Sequence, residues 1–231
     1  MSMGKSIIID AGHGGSDPGA TAFGVKEKDW TLKISLYQYE RLKELGAAVA
    51  LTRSKDTTLD SAARTKVFRG QYDYCISNHW NAFNGKARGV ETIHSIFADK
   101  TFASQLAKAV SNASGLPLRR VFSKKNASGT DWYFMHRLTG TTKTVIIEYG
   151  FLDHKEDHAR YRTDAIFYAA AESVVEVVCK ELGIRYKAPS EKAAATSLYR
   201  VQNGAFSKKE QAEALAKKLT GAGFEAVIVK G

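Results

Sequence analysis

The sequence predicts an α/β fold: a twisted, mostly parallel sheet with helices on both faces, followed by a small C-terminal βαβ unit. Short apolar runs alternate along the chain with amphipathic segments, which is the order of elements in layered α/β folds. A length of 231 residues is enough for one sizeable core with an appendage. The contents of 44% hydrophobic and 25% charged residues are typical of globular proteins and exclude disorder and coiled coils.

The N-terminal part of the chain predicts a strand, a loop and a helix. Ser6 to Asp10 is an apolar run that leads into the glycine-rich loop 11–19. Trp30, Ile34 and Tyr37 then recur at helical spacing, and this helix is expected to stop at Gly46. The polar face of the helix is expected to carry Lys33, Gln38, Arg41 and Lys43.

The chain up to about residue 182 continues this alternation of strands and helices. Expected strands are 47–52, 72–77, 90–97 and 144–149, and a polar loop is expected over 78–85. Expected helices are 61–69, a segment containing Phe102 and Val110, and 164–182. In sheets of this kind, ligands bind beyond the carboxyl ends of the strands.

The charge balance predicts anionic partners. The net charge is +10, yet no nucleic-acid reading motif accompanies the basic clusters Arg119-Arg120 and Lys124-Lys125, so we expect no nucleic-acid partner. Anionic wall polymers fit this charge equally well. No apolar run is long enough for a membrane span, and we expect no secretion signal at the N-terminus. Cys75 and Cys179 lie far apart in apolar stretches, which favours two buried thiols over a disulfide.

Four candidate ligands or catalytic groups are expected at one edge of the sheet. His13 follows the first strand, His79 follows the third, Glu27 precedes the first helix, and Glu148 ends a later strand. Two histidines and one carboxylate with an open position form a catalytic zinc arrangement, and the remaining glutamate can serve as the base. Taken singly, each group is more often a hydrogen-bonded loop residue or a helix-dipole partner, so spacing alone leaves both interpretations open.

The other histidines are weaker candidates. His94 and His136 are expected to be packing or rim residues, and His154 and His158 to be exposed to solvent. A dinucleotide-binding oxidoreductase is an alternative interpretation, because such folds also have a strand followed by a glycine-rich loop and a helix. The segment 12–17 breaks the G-x-G-x-x-G pattern, however, and the helix begins too far from it to bind a pyrophosphate.

Six motifs occur in a fixed order between residues 6 and about 182. They are 7–20, 27–28, 51–53, 77–81, 89–91 and 148–151. In this order they resemble the zinc-dependent N-acetylmuramoyl-L-alanine amidases of the type 3 family. The resemblance implies hydrolysis of the amide between N-acetylmuramic acid and L-alanine in bacterial peptidoglycan. A non-catalytic wall-binding protein is the alternative, although all four catalytic positions hold competent residues.

The family resemblance also implies roles for individual residues. It implies one catalytic Zn²⁺ ion on His13, Glu27 and His79, with Glu148 as the catalytic carboxylate. It further places Asn81 and Arg64 near the cleft as substrate-binding residues. Trp80 departs from the family pattern, in which a smaller residue is more usual, and it is expected at the rim of the site.

The C-terminal region is expected to form a separate small unit. The predicted catalytic domain spans 1–184, a Pro-, Ala- and Ser-rich linker spans 185–197, and 198–231 resembles one repeat of a SPOR wall-binding domain. Strands are expected over 198–202 and 224–229, with a helix between them that opens at the capping box 207–210. A full module has two repeats, so this unit is either a remnant or pairs with a second copy to form a homodimer.

The resemblance and the expected lack of a secretion signal together predict the place of action. The protein is expected to be made in the cytoplasm without a signal peptide and to act on the wall after lysis or through holin-made lesions. Phage endolysin and cell-lysis autolysin both satisfy this expectation.

Overall fold

The computed structural model describes residues 4–189 and 207–221. Internal contacts divide the chain into two units, Met1–Lys187 and Ala188–Gly231. This division falls inside the predicted linker, whose bounds stay a prediction. Tyr186 Oη donates to Glu172 Oε1 (3.0 Å), and Lys187 O accepts from Arg41 Nη2 (2.8 Å), so the first linker residues are still bonded to the first unit. The strands predicted over 198–202 and 224–229 lie outside the described residues.

The first unit is built on a six-stranded sheet in the order β4-β1-β5-β8-β6-β7. All neighbouring strands are parallel except β6 and β8, which are antiparallel. The predicted, mostly parallel α/β sheet is thereby confirmed. Its strands are β1 (Ser6–Ala11), β4 (Ala48–Leu51), β5 (Tyr74–Asn81), β6 (Val90–His94), β7 (Leu118–Phe122) and β8 (Lys143–Phe151). A separate hairpin consists of β2 (Thr21–Ala22) and β3 (Val25–Lys26).

Helices cover both faces of this sheet. They are α1 (Glu27–Glu44), α2 (Ser61–Lys66), α3 (Thr101–Ser114), α4 (Phe134–Arg137), α5 (Lys155–Tyr161) and α6 (Asp164–Leu182). One face packs Ile7, Ile9 and Ile147 against the long helices α1, α3 and α6. The other face packs a smaller apolar cluster beneath α2 and α4, and this cluster consists of Ile8, Phe68, Cys75, Ile93, Met135 and Ile146. That second face therefore has only a thin helical cover.

Several predicted strands differ from the observed ones. The strand predicted over 47–52 is an edge strand and only half-buried, because a single neighbour, β1, pairs with it. The polar loop predicted over 78–85 is wrong in its first part, since β5 continues through His79 to Asn81. The strand predicted over 90–97 ends at His94. The hairpin of β2 and β3 and the edge strand β7 had no clear periodic signal.

The polar face predicted for the first helix is partly wrong. Gln38 is fully buried and Arg41 is 6% exposed, whereas both were expected in solvent. Their polar groups are satisfied inside the protein: Gln38 Nε2 donates to Tyr149 Oη (2.7 Å), and Arg41 pairs with Glu172 of α6 (3.0 Å). Buried polar side chains are tolerated when they are hydrogen-bonded in this way. The helix begins at Glu27 itself, which was predicted to precede it.

Aromatic and sulfur-containing side chains also test the predictions. Cys75 and Cys179 are free and buried, as predicted. Trp80 is only 2% exposed and stacks on Tyr149, with ring centroids 4.8 Å apart. The prediction that Trp80 forms the rim of the site is therefore wrong, because its place in β5 directs the indole into the core.

The described part of the second unit contains one helix, α7 (Lys209–Gly221). Its apolar side chains Ala212, Leu215 and Leu219 recur at helical spacing and are half-buried. This helix lies where the capping box predicted one. Among the described helices, none is both long and apolar enough to span a bilayer.

Candidate metal centre and active site

Three predicted ligands converge at the carboxyl edge of the sheet. His13 follows β1, Glu27 opens α1, and His79 lies in β5. Glu27 Oε1 lies 3.0 Å from His13 Nε2 and 3.0 Å from His79 Nδ1. One potential ligand atom from each residue lies within 4.8 Å of the other two, and no other such group occurs among the described residues. The structure thus places together the three side chains that the sequence analysis assigned to a metal.

The chemistry of this donor set fits a zinc ion. Two imidazole nitrogens and one carboxylate oxygen are ligands that zinc prefers in catalytic sites. His13 Nδ1 is hydrogen-bonded to Asp17 Oδ2 (2.8 Å), which leaves Nε2 turned toward Glu27. An outer carboxylate on the second ring nitrogen is the usual support of a metal-binding histidine. The arrangement of these residues therefore suits a cation.

The Glu27 carboxylate is held in its charged form. Its Oε2 accepts from the backbone N–H of Ala20 (2.8 Å), and its Oε1 accepts from that of Trp80 (3.0 Å). Burial alone would raise the pKa of Glu27, but the hydrogen bonds and charges of His13 and His79 outweigh burial and hold this pKa well below its usual range. A buried carboxylate that stays ionised favours the binding of a cation.

Two buried arginines hold the loop that carries His13. Arg64 Nη1 donates to Asp10 Oδ1 (2.8 Å), and Arg64 Nη2 donates to His13 O (2.7 Å). Arg53 Nε donates to Ala11 O (3.0 Å). These bonds support the left-handed backbone of His13 (φ 59°), which is unfavourable for a non-glycine residue. Arg64 is only 4% exposed, so the structure favours a positioning role over the predicted contact with substrate.

Glu148 lies in β8, the strand next to the one that carries His79. It is the parallel partner of His79 in β5 and the antiparallel partner of Glu91 in β6. Its Oε2 is out of contact with solvent and has no hydrogen-bond partner among the described residues. Burial, followed by the charges of Glu27 and Glu91, raises the pKa of Glu148 well above its usual range. A carboxylate with a raised pKa and an unused oxygen can accept and return a proton.

Asn81 lies next to a residue to which sequence reasoning gave no role. Asn81 Nδ2 donates to Glu91 Oε2 (3.0 Å), and the Glu91 side chain is fully buried. Glu91 also pairs with Arg119 and Arg120 of β7. An acidic residue inside the alternating pattern 90–94 was the available sequence signal, since a strand position that faces the protein interior rarely carries a charge without a partner.

The remaining described histidines are not part of the group of His13, Glu27 and His79. His136 is 9% exposed, in agreement with its predicted packing role. His158 was expected in solvent, but it is 8% exposed and stacks on Trp30, with ring centroids 5.2 Å apart. The prediction for His158 is wrong because α5 turns this side chain toward Trp30 of α1. His154 is half-buried.

Comparison with known proteins identifies the family. The family model described as N-acetylmuramoyl-L-alanine amidase matches residues 7–180, and the SPOR domain model matches residues 171–231. A sporulation-specific N-acetylmuramoyl-L-alanine amidase of Bacillus subtilis is 29% identical, over 96% of this chain and 84% of its own length. The endolysin of Bacillus phage SPP1 is 31% identical, over 80% of this chain and 69% of its own length.

A solved structure agrees with these relatives. The catalytic domain of the amidase CwlV from Bacillus (Paenibacillus) polymyxa superposes with a TM-score of 0.71 and 27% identity, over 78% of this chain and 99% of that domain. These matches confirm the expected peptidoglycan amidase and the SPOR-like C-terminal segment, and they give no support to the oxidoreductase alternative. The chain therefore belongs to the N-acetylmuramoyl-L-alanine amidase family.

Proposed function

We propose that this amidase depends on one zinc ion and cleaves the amide that joins the lactyl group of N-acetylmuramic acid to L-alanine in peptidoglycan. The observation that carries the proposal is the convergence of His13, Glu27 and His79 beside Glu148 at one edge of the sheet. His13, Glu27 and His79 would hold the ion. When bound, zinc supplies Lewis acidity that makes the scissile carbonyl more electrophilic and water more acidic.

Glu148 moves the proton of the reaction. Its Oε2 has no competing hydrogen bond within the described residues, so it is free to accept a proton from the attacking water. The water oxygen forms a bond to the carbonyl carbon, and the carbon–nitrogen bond breaks. Glu148 then gives the proton to the departing alanine nitrogen, so that the products are a lactyl carboxylic acid and a free amine.

Substitution of the proton carrier tests the separation of roles. Glu148→Gln keeps the shape of the side chain and removes its basicity, so the variant is expected to bind zinc stoichiometrically and to lose most hydrolysis, by at least about a hundredfold. His13→Ala and His79→Ala are each expected to lose both zinc and activity, because two protein ligands hold the ion weakly. Elemental analysis and turnover of a purified muropeptide measure the two properties. Turnover by Glu148→Gln at the wild-type rate, or full zinc in a histidine variant, would contradict the proposal.

The proposal extends to the partners and to the C-terminal unit. The excess of Lys and Arg, with a net charge of +10, supports binding to anionic wall polymers in addition to peptidoglycan. The SPOR-like segment supports wall binding by residues 198–231. A homodimer in which two chains pair their single repeats stays a prediction. Salt dependence of sedimentation with purified walls, with and without their anionic polymers, measures the first part. Release through lysis or holin-made lesions stays a prediction. It is tested by whether a holin gene or sporulation genes lie next to the gene for this protein.

A further inference from the structure

A pair of arginines lies next to the catalytic carboxylate and shares one buried glutamate. Arg120 Nε donates to Glu91 Oε1 (2.7 Å), and Arg119 Nη1 donates to the same oxygen. Asn81 Nδ2 donates to the second oxygen, Glu91 Oε2 (3.0 Å), and Arg120 Nη2 donates to the same oxygen (3.3 Å). One buried carboxylate thus orients two cationic side chains and connects them to β5.

An irregularity of the edge strand explains how consecutive residues reach one carboxylate. In the register of β6 and β7, Val90 pairs with Leu118 and Glu91 pairs with Arg120, so Arg119 is an extra residue in β7. Consecutive side chains normally point to opposite faces, and such a bulge changes the direction of one of them. Bulges are frequent at sheet edges and beside active sites. The bulge here brings both guanidinium groups to Glu91.

The arginines are oriented and remain accessible. The Arg120 guanidinium carbon lies 4.0 Å from the ring centroid of Phe122, and that of Arg119 lies 5.4 Å from the ring centroid of Phe151. Their side chains are nevertheless 50% and 38% exposed. Glu91 neutralises one positive charge and engages only some of the several N–H donors of each guanidinium. The pair therefore offers one surplus positive charge and solvent-facing donors in a fixed orientation.

The position of this pair matches the geometry of a peptide substrate. Glu91 and Glu148 are directly opposite one another in β6 and β8, where Cβ atoms are about 5 Å apart. A peptide advances by roughly 3.5 Å per residue. A carboxylate on the residue after alanine would thus lie on the order of 5 to 7 Å from the scissile nitrogen, which places it within reach of guanidiniums bound to Glu91.

We propose that Arg119 and Arg120 form a subsite for the carboxylate of the peptide residue that follows alanine. The inference rests on the proposed function, because it places the scissile amide at Glu148. Planar guanidinium forks are suited to carboxylates. Wall peptides whose acidic second residue is amidated lack this charge, so the subsite makes the enzyme selective for walls with a free carboxylate at this position.

Equilibrium binding tests the subsite without requiring turnover. Full-length Glu148→Gln protein, supplied with zinc, is titrated calorimetrically with N-acetylmuramyl-L-alanyl-γ-D-glutamyl-L-lysine and with the same tripeptide amidated on the α-carboxyl group of the glutamyl residue. We expect the ligand with the free carboxylate to bind at least about tenfold more tightly than its amide, because the carboxylate forms charge-assisted hydrogen bonds with the guanidinium groups. Equal affinities, or no detectable binding of either ligand, would overturn the subsite. Cleavage of the amide ligand by the wild-type protein tests the proposed function separately.

Variants of the arginines connect the preference to the subsite. In the Glu148→Gln protein, Arg120→Gln is expected to reduce the acid-to-amide affinity ratio to about one, and Arg120→Lys to restore part of it. Arg119→Gln is a second route if Arg120→Gln does not fold, as judged by its melting curve. Arg69→Gln is the matched control, because Arg69 is exposed near Gly140, before β8 begins, and it should keep the full ratio. An unchanged ratio in both folded Arg119 and Arg120 variants would overturn the proposal.

Discussion

At the scale of single residues, the position before His13 requires glycine because His79 packs directly against it. A Cβ atom at Gly12 would lie 2.3 Å from Cε1 and 2.5 Å from Nε2 of His79, and 2.8 Å from the carbonyl oxygen of Asn78. Real Cβ atoms do not approach other heavy atoms so closely. The backbone of the loop thus packs directly against a proposed zinc ligand, and only glycine permits this approach.

Gly12→Ala is expected to displace His79 and to reduce zinc affinity by at least about tenfold, the range that supporting contacts of metal sites contribute. The measurement is competition with a chromophoric chelator, together with far-UV circular dichroism to verify folding. Gly4→Ala is the control, because a Cβ at Gly4 meets no atom within 4 Å. Wild-type zinc affinity in folded Gly12→Ala protein would show that the loop can move away without loss.

His136 makes the stability of the protein depend on pH. Burial, with a smaller opposing effect of Asp131, lowers the pKa of His136 to about 4. The unfolded chain, with an ordinary histidine pKa near 6.5, therefore binds a proton more readily than the folded protein between about pH 6.5 and 4. The contribution of neutral His136 to stability is complete above this window and is lost as the pH falls through it, up to about 3 kcal/mol.

His136→Gln is expected to reduce the loss of stability between pH 6.5 and pH 4, because the variant has no group at this position to protonate on unfolding. Urea unfolding at several pH values measures the free energy of unfolding of both proteins. If His136 were protonated in the folded protein, the free energy of unfolding would change with pH equally in the wild-type protein and in His136→Gln between pH 6.5 and pH 4.

At the scale of elements, a buried polar network ties α1 to the two central strands. Tyr149 Oη donates to Asn78 Oδ1 (2.9 Å) and accepts from Gln38 Nε2 (2.7 Å). Asn78 Nδ2 donates in turn to Gln38 Oε1 (2.7 Å) and to Ser35 Oγ (2.8 Å). Since Tyr149 and Asn78 are adjacent to Glu148 and His79 in sequence, the network fixes the strands that carry those groups.

Tyr149→Phe is expected to lower the free energy of unfolding by about 2 kcal/mol, because it leaves a buried donor of Gln38 and a buried acceptor of Asn78 without partners. Chemical denaturation measures the change. Tyr39→Phe, on the same helix and half-buried, is expected to change stability by less than about 0.5 kcal/mol. Equal effects of the two substitutions would mean that the network contributes little.

At the scale of the whole molecule, the C-terminal unit is expected to strengthen binding to intact walls. Truncation after Lys187 keeps the bonds of Tyr186 and Lys187 to the first unit and removes Ala188–Gly231. The truncated protein is expected to be monomeric, to cleave soluble muropeptides at the full-length rate, and to bind intact walls less tightly, because paired wall-binding units gain from effective concentration.

Light scattering, muropeptide turnover and sedimentation with purified walls measure these three properties of the full-length and truncated proteins. A monomeric full-length protein whose wall binding survives truncation unchanged would indicate that the C-terminal unit is a remnant. Loss of muropeptide turnover on truncation would instead show that the first unit needs the second for activity.

Local patterns were sufficient for the elements with strong periodicity. The run before His13 forms β1, and α6 spans Asp164–Leu182 as predicted, because a continuous apolar run or a long amphipathic stretch is stable in one conformation only. Short elements were missed. The hairpin of β2 and β3 and the edge strand β7 contain too few residues for a periodic signal, and their structure depends on neighbours distant in sequence.

The sequence by itself determined the fold class, the family and the four residues proposed for zinc binding and proton transfer, since ordered motifs carry that information locally. Only the tertiary structure placed Glu91 opposite Glu148, gave it two arginines, and buried Gln38, Arg41 and Arg64. The physical reason is that the exposure of a polar side chain depends on whether the fold supplies partners for its hydrogen bonds and charge, and those partners come from distant segments.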